Sequence, residues 1–367
     1  MRERYDKDIE WIQLQQRGIM PKYLIIASAL RDEIKSGQYT DGKMLPTEEQ
    51  LSDRFSASRQ TVRQALSVLV AEGLITKLRG SGSRVRTQDE PVRSGNIAIV
   101  ATYISDYIFP GILREAEAVL AKNKYSAILA ATHNSIFSER NILTDLLAKP
   151  IDGMLVEGTK TALPNPNLDL YRALMERGIP IVFFNGYYAD LDGTVSVYAD
   201  NFGGGYELVR YLLKHGHTAI SGIFKSDDIQ GHQRYAGYIT ALRDAGHMIP
   251  DQCVFWYTTE SRDELFTDEL ASKLSECSAV VCYNDEIALR LIPLLHSRGV
   301  KVPEEISIVS FDNSSLSEIS PVKITSLSYG DQNIGRVAAE KLMRRLAGEA
   351  AESQTLHWTL VERESSR

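Results

Sequence analysis

At 367 residues the chain exceeds one ordinary domain, so two or three are expected, and 43% apolar residues suffice for real cores. No apolar run approaches the roughly 18 residues of a membrane span, and Met1–Glu10 mixes Arg2, Arg4 and Lys7 with acids instead of opening an apolar leader, so a cytoplasmic protein is expected. The net charge of −7 excludes a protein coated in nucleic acid, but within 51–88 Arg54, Arg59, Arg63, Lys77, Arg79, Arg84 and Arg86 meet only Asp53 and Glu72, a basic island on an acidic body.

Residues 1–19 read as an extension outside any fold, either disordered or an overextended start. Pro21 suits a first helical position, Tyr23, Ile26, Leu30 and Ile34 recur at helical spacing, and Gly37 closes the segment. Thr47 and Gln50 have capping-box spacing before Leu51 and Phe55, which opens a second helix. After Ser56-Ala57, Ser58 caps a third, on which Val62, Ala65, Leu66, Leu69 and Val70 form one apolar stripe. Arg59 and Arg63, four apart, project from an exposed face near its start. Gly73 ends this helix, and 74–78, 79–82 and 83–85 read as strand, glycine turn and strand.

Three helices and a small hairpin make a winged helix-turn-helix, a small α+β domain. Such a unit puts the N-terminal residues of its third helix toward base edges. Ser58, Arg59, Gln60, Thr61 and Arg63 stand there, where guanidinium groups read guanine or clamp phosphate and hydroxyls bond phosphate. The run from Leu45-Pro46-Thr47-Glu48 through Ser58-Arg59-Gln60-Thr61-Val62-Arg63 to Glu72-Gly73-Leu74-Ile75 resembles the GntR family of bacterial regulators. That resemblance implies operator DNA as partner, with Arg59, Thr61 and Arg63 as contacts and Lys22 and the wing residue Arg79 in support. Two positions depart from it. Glu49 stands where many relatives carry arginine, and Ser83-Arg84-Val85 replaces Thr-Phe-Val after the wing glycine. The expected division is a winged-helix domain over 20–87, a linker over 88–95 and a second domain over 96–367.

From Asn96 the pattern changes. Short apolar runs at 97–101, 126–130, 153–156, 181–184, 219–224, 279–282 and 306–310 alternate with helical stretches such as 112–122, 206–214, 234–245 and 286–298. Strands separated by helices predict parallel sheets, about 270 residues predict two α/β lobes, and ligands then bind beyond the carboxyl ends of the strands. An enzyme finds little support. Gly203-Gly204-Gly205 is not a dinucleotide loop, and Walker and nucleophile-elbow sequences are absent. His215 and His217 flank Gly216, where they read as helix caps or, alternatively, catalytic groups. Cys253, Cys277 and Cys282 lack the histidine pair of a zinc site, so free thiols, no metal and no cofactor are expected.

Over 95–365, Gly216-His217-Thr218-Ala219-Ile220, Arg234-Tyr235-Ala236-Gly237-Tyr238, Cys282-Tyr283-Asn284-Asp285-Glu286 and Val302-Pro303-Glu304-Glu305 through Phe311-Asp312 resemble the LacI-type sensor domain, akin to periplasmic sugar-binding proteins. Arg234 and Asp285 are then the foremost ligand contacts or, alternatively, braces between lobes. Tyr103, Ser105 and Asp106 present the first lobe's contacts, with Glu157, Asn185, Gln230, Trp256 and Tyr329 behind them. Trp256 sits in Phe255-Trp256-Tyr257, which reads equally as a buried strand. The strings Ala101–Pro110 and Gly222–Asp228 are similar to arabinose-responsive regulators of Gram-positive bacteria. This implies a homodimeric repressor that leaves its operator when L-arabinose enters the cleft. The same architecture serving another small sugar or nucleoside is the alternative, and a sugar-transport or processing protein is the rival from another class.

Overall fold

The computed structural model describes residues 21–39, 43–78, 82–85, 93–247 and 251–367. The chain divides into two compact units. Of the described residues, one holds those before Ile97 with Leu143–Asp152 and Glu176–Ile179, and the other holds those within Ile97–Ile142, Gly153–Met175 and Pro180–Arg367. The expected prefix (1–19) and most of the expected linker fall outside the described residues. Where the chain resumes, the Asp152 carboxylate accepts from Ser94 N, Ser94 Oγ and Gly95 N at 2.8–2.9 Å.

The N-terminal elements are α1 (Lys22–Lys35), α2 (Glu48–Arg54), α3 (Arg59–Ala71), β1 (Ile75–Leu78) and β2 (Gly82–Val85). Local chemistry sets their bounds. Thr47 and Gln50 complete a reciprocal capping box at α2, and Ser58 Oγ accepts from Thr61 N at α3. Gly73, at φ +69°, turns the chain out of α3 into β1. Leu30, Leu51, Val62, Ala65, Leu66, Leu69 and Ile75 are buried, so the stripe read from α3 is the core side of the domain except at its end, where Val70 is exposed and Val68 is buried in its place. The hairpin is antiparallel, and Met44 bridges Arg84 beside it.

The remaining elements form two α/β lobes, most of whose residues lie in the larger unit. In the first, β3 (Asn96–Ala101), α4 (Phe109–Lys122), β4 (Ser126–Ala131), α5 (Ile136–Leu147), β5 (Gly153–Val156), α6 (Leu168–Glu176), β6 (Ile181–Phe184) and β7 (Val195–Ala199) lead to the second. That lobe holds α7 (Asn201–Lys214), β8 (Ile220–Lys225), α8 (Ile229–Asp244), β9 (Val254–Tyr257), α9 (Asp268–Leu274), β10 (Ala279–Cys282), α10 (Asp285–Ser297), β11 (Ser307–Phe311), α11 (Ser315–Ile319) and β12 (Thr325–Ser328). The chain then returns for α12 (Ile334–Leu346) and β13 (Gln354–Leu356) in the first lobe and crosses again for β14 (Thr359–Val361). Strand order is β13-β7-β6-β5-β3-β4 in one sheet and β14-β12-β11-β10-β8-β9 in the other. Pairings from β13 to β3 and from β9 to β12 are parallel, while β14 is antiparallel. The inner strands are buried almost throughout, as continuous apolar runs between helical layers require, while the edge strands β4, β9, β13 and β14 are only partly buried.

Helices α7 and α8 pack unusually closely. A Cβ on Gly205 would lie 2.1 Å from Arg234 O, and one on Gly237 would lie 2.0 Å from Phe202 O. Gly205 of the triple-glycine run and Gly237 thus let the two helices touch, which brings Arg234 against Asn201, while Gly203 and Gly204 make room for Asp200 and for Trp358 and Phe311.

Candidate functional site

On α3 the polar face is as the sequence implies. Arg59 and Arg63 are 62% and 64% exposed in their side chains, Gln60 is exposed, and Thr61 Oγ1 lies 2.8 Å from Ser58 Oγ. Each arginine meets a carboxylate of α2: Arg59 Nη2 lies 2.7 Å from Glu49 Oε1, and Arg63 Nε lies 2.7 Å from Glu48 Oε2. Glu49, where an arginine was usual, therefore faces an arginine. Lys22 Nζ donates to Ser56 O at 2.6 Å, tying the start of α1 to the turn before α3. Arg79 lies outside the described residues.

The second candidate is a cavity of about 1060 Å³ between the two lobes. Its walls come largely from the segments at the carboxyl ends of β3, β5, β6, β8, β9, β10, β11 and β12, with Arg234 and Arg290 reaching in from α8 and α10. Tyr103, Ser105, Asp106, Glu157, Asn185, Gln230, Arg234 and Tyr329 all line it. Tyr107 (φ +56°), Asn185 (φ +57°) and Asp312 (φ +90°) carry left-handed backbone there, a strain that clusters at working sites.

Arg234, 2% exposed, is the centre of the second lobe's wall. Its Nε donates to Asn201 Oδ1 (3.0 Å), its Nη2 to Asp312 Oδ1 (3.2 Å) and its Nη1 to Tyr283 O. The guanidinium carbon stands 4.2 Å from the Phe311 ring centroid and 4.8 Å from that of Tyr283, a cation–π arrangement. Asp312 Oδ2 in turn accepts from Tyr107 OH of the first lobe at 2.7 Å. Trp358 stacks on Tyr329 at 4.2 Å.

In the first lobe Glu157 is buried and accepts from Thr102 N (2.9 Å), Thr102 Oγ1 and Asn185 Nδ2 (3.1 Å). Burial pushes its carboxyl up to about 7, against the pull of the Thr102 and Asn185 donors. Asn185 Oδ1 is buried and accepts no hydrogen bond among the described residues. Such an orphan costs about 1–3 kcal/mol unless something fills it.

Two expected contacts stand elsewhere. Asp285 is fully buried and does not line the cavity. Its Oδ1 accepts from Ser310 Oγ and Ser326 Oγ, each at 2.7 Å, and its Oδ2 from Ser314 N (2.7 Å) and Oγ (2.9 Å). Its carboxylate is a brace, but within the second lobe and not between lobes as the alternative reading had it: four donors saturate it and pin β11, β12 and the loop that carries Asp312. Trp256 is also outside the lining, because side chains alternate along β9. It packs 5.1–5.8 Å from Phe224, His232 and Tyr235, and its neighbour Tyr257 faces the cavity.

Asp312, Tyr107, Tyr283, Lys225 and Asp228 line the cavity without having been singled out from sequence. The available signal was position, since Lys225 is the last residue of β8 and each of the others follows a strand end by one to six residues. His215 behaves as a cap, its Nδ1 2.8 Å from Tyr211 O at the end of α7.

Comparison with known proteins agrees with both halves. Residues 22–85 match the bacterial regulatory proteins of the gntR family, and residues 209–366 match the periplasmic binding protein-like domain. An arabinose metabolism transcriptional repressor of Halalkalibacterium halodurans is 36% identical over 332 residues, covering 88% of each chain. A protein of the same name from Geobacillus stearothermophilus is also 36% identical, over 89% of this chain and 92% of the relative. The transcription regulator CcpA of Lactococcus lactis, a solved structure 25% identical, superposes with a TM-score of 0.66 over 75% of this chain and 100% of that one.

Proposed function

Because the chain belongs to the family of arabinose metabolism transcriptional repressors, DNA-binding regulators with a sugar-sensing domain and not enzymes, we propose that L-arabinose fills its cavity and that the filled protein lets go of operator DNA. The observation that carries this reading is the unsatisfied Asn185 Oδ1 in a polar cavity at the strand ends. A pentose supplies hydroxyl donors for such an acceptor and C–H faces for Tyr103, Tyr283 and Tyr329. Arg234 uses three of its five N–H groups within the described residues, which leaves two for ring or hydroxyl oxygens.

Sugar acts only through different affinities for two arrangements of the lobes. Residues of both lobes surround the cavity, and Tyr107 already reaches Asp312 across it, so a bound sugar favours the closed arrangement. In a homodimer acting in the cytoplasm, that change would alter the spacing of two reading heads. At the heads, Arg59, Thr61, Arg63, Ser58, Gln60 and Lys22, with Arg79, are the proposed DNA contacts.

Calorimetry of the full chain against L-arabinose, D-ribose, D-xylose and cytidine tests the effector. Saturable heat is expected with L-arabinose, and the same sugar should weaken retention of a duplex selected from a random pool. A chain that ignores L-arabinose but binds another member keeps the architecture and changes the effector. Sedimentation with and without the duplex tests the dimer.

A further inference from the structure

At the margin of the cavity the two lobes are joined by a second polar cluster with a buried centre. Asp227, which follows β8, sends Oδ2 toward four donors: Thr259 N (3.0 Å) and Thr259 Oγ1 (2.8 Å) of its own lobe, and Asn134 Nδ2 (3.3 Å) and Lys160 Nζ (3.5 Å) of the other. Asn134 Nδ2 also donates to Thr259 Oγ1 at 2.6 Å, and Lys160 Nζ reaches Glu260 Oε1 at 2.5 Å. Ile229 N donates to Thr161 Oγ1 at 3.0 Å, and Ala162 N to Asp227 O at 3.2 Å. Asp227 and Asn134 are 2% and 1% exposed. None of Asn134, Lys160 and Asp227 lines the cavity, yet Asp228 and Thr259 beside them do.

Topology gives the cluster its meaning. The chain crosses between lobes from β7 to α7, from β12 to α12 and from β13 to β14, all toward the β13 and β14 edges of the sheets. The cluster hangs on the loops after β4, β5, β8 and β9, and β4 and β9 are the opposite edges. A hinge at one edge opens the lobes most widely at the other, so these contacts are among the first to part. His133, Asn134 and Lys160 hold left-handed backbone (φ +51°, +53° and +45°), which is retained only where surrounding contacts compel it. Burial opposes the charge on Asp227, but Lys225, the Thr259 donors and Lys160 outweigh it and hold its carboxyl below the usual range.

We infer that Asp227, Asn134 and Lys160 form a latch made only when the lobes are closed, and that Asp227 and Lys160 are positioning residues that set how long the sugar stays bound. The inference rests on the cavity being the sugar site. A latch formed after entry slows escape and leaves entry alone.

The test is stopped-flow fluorescence of the full chain with L-arabinose, Trp358 beside Tyr329 serving as reporter. In Asp227→Asn and Lys160→Met the dissociation rate constant should rise about tenfold, the size of effect of losing roughly 1.4 kcal/mol of a closed-state contact. The association rate constant should stay within about twofold, as is usual for variants of one contact surface. Lys160→Arg keeps the charge and should restore slow dissociation. Retained binding of the selected duplex without sugar shows that each variant is folded, and Lys160→Met serves if Asp227→Asn is not. Unchanged dissociation, or a loss confined to association, overturns the latch. Wild type inert to L-arabinose overturns only that effector, and the same rates are then read with whichever member of the panel binds. A wild type that binds none of them overturns both.

Discussion

The arginines of α3 and the arginine of α8 have the same side chain in opposite settings. Arg59 and Arg63 are mostly exposed, and each shares one close contact with a carboxylate of α2. Arg234 is 2% exposed and has three hydrogen-bonded partners and three aromatic faces. Exposed ion pairs are worth about 0–1 kcal/mol and are screened by salt, so phosphate or a base edge can replace the carboxylate cheaply. A buried guanidinium has given up its water and depends on fixed partners. One surface is built for exchange of partners and the other for permanence, with only the ligand's place left open.

The sharpest way to break this comparison is to remove the buried charge. Arg234→Met strands Asp312 beside Tyr107 and Tyr329, and breaking a buried pair costs about 3–5 kcal/mol. Urea denaturation should show that loss of stability, and calorimetry should show no sugar binding. A variant that unfolds like wild type and binds sugar normally would place Arg234 outside the site. At the exposed surface the ranking reverses. Arg59→Ala and Arg63→Ala should each weaken operator binding by about 1–3 kcal/mol in gel-shift titration. Their urea midpoints should stay near wild type, and their sugar affinity should not move.

How far the chain could be read beforehand follows the same division. Caps, glycines and an apolar stripe are local signals, so the bounds of α2, α3 and the hairpin were legible from Thr47, Gln50, Ser58 and Gly73. Beyond the linker β3, β4, β5, β6, β8, β10 and β11 were legible as apolar runs, whereas β7, β12, β13 and β14, short strands nearer the sheet edges, were not read, and the helix starts were placed late: α4 begins at Phe109, α7 at Asn201 and α8 at Ile229. Their first turns carry Pro110, Gly203–Gly205 and Gly231 and face the cavity or a neighbouring helix, so they show no amphipathic rhythm. Asp285 and Asp312 both follow strands, yet one is enclosed by Ser310, Ser314 and Ser326 and the other meets Arg234. Only the packing of three segments distant in sequence separates those fates. Trp256 and Tyr257 differ by the phase of a single strand, which sequence alone leaves open.

A smaller effect concerns pH and sharpens the contrast from inside the cavity. Glu157 keeps its proton up to about 7, while the unfolded chain loses it near 4.5. The folded state therefore binds the proton more tightly. Its stabilising share is full below about 4.5 and is lost as pH rises toward 7. If a sugar hydroxyl donates to this carboxylate, binding favours the ionised form. Affinity should then rise with pH up to about 7, by at most tenfold per unit, and level off above it. Calorimetry at pH 6.5 in two buffers of different ionisation enthalpy should detect proton release on binding. Glu157→Gln should abolish that release and flatten the pH dependence of affinity. A wild-type profile that is flat from pH 5.5 to 8 would remove Glu157 from contact with the sugar.

The smallest effect is expected at Glu49, where the comparison predicts almost nothing for the fold and a measurable change for DNA. Glu49 is 70% exposed in its side chain and touches Arg59, so Glu49→Gln should shift stability only within the roughly 0–1 kcal/mol of exposed pairs. The carboxylate nevertheless stands beside Arg59 on the proposed DNA-contacting face. If DNA binds there, Glu49 gives up Arg59 and repels phosphate. Glu49→Gln should therefore tighten binding to selected and unrelated duplexes alike, most clearly at low salt. Glu49→Arg should go further and steepen the slope of log affinity against log salt by about 0.9, the signature of one added phosphate contact. Gel-shift titrations across salt concentrations with both duplexes read these slopes. Should Glu49→Gln instead weaken the selected duplex and spare the unrelated one, Glu49 orients Arg59 for base reading, and the exposed surface is more organised than its accessibility implies.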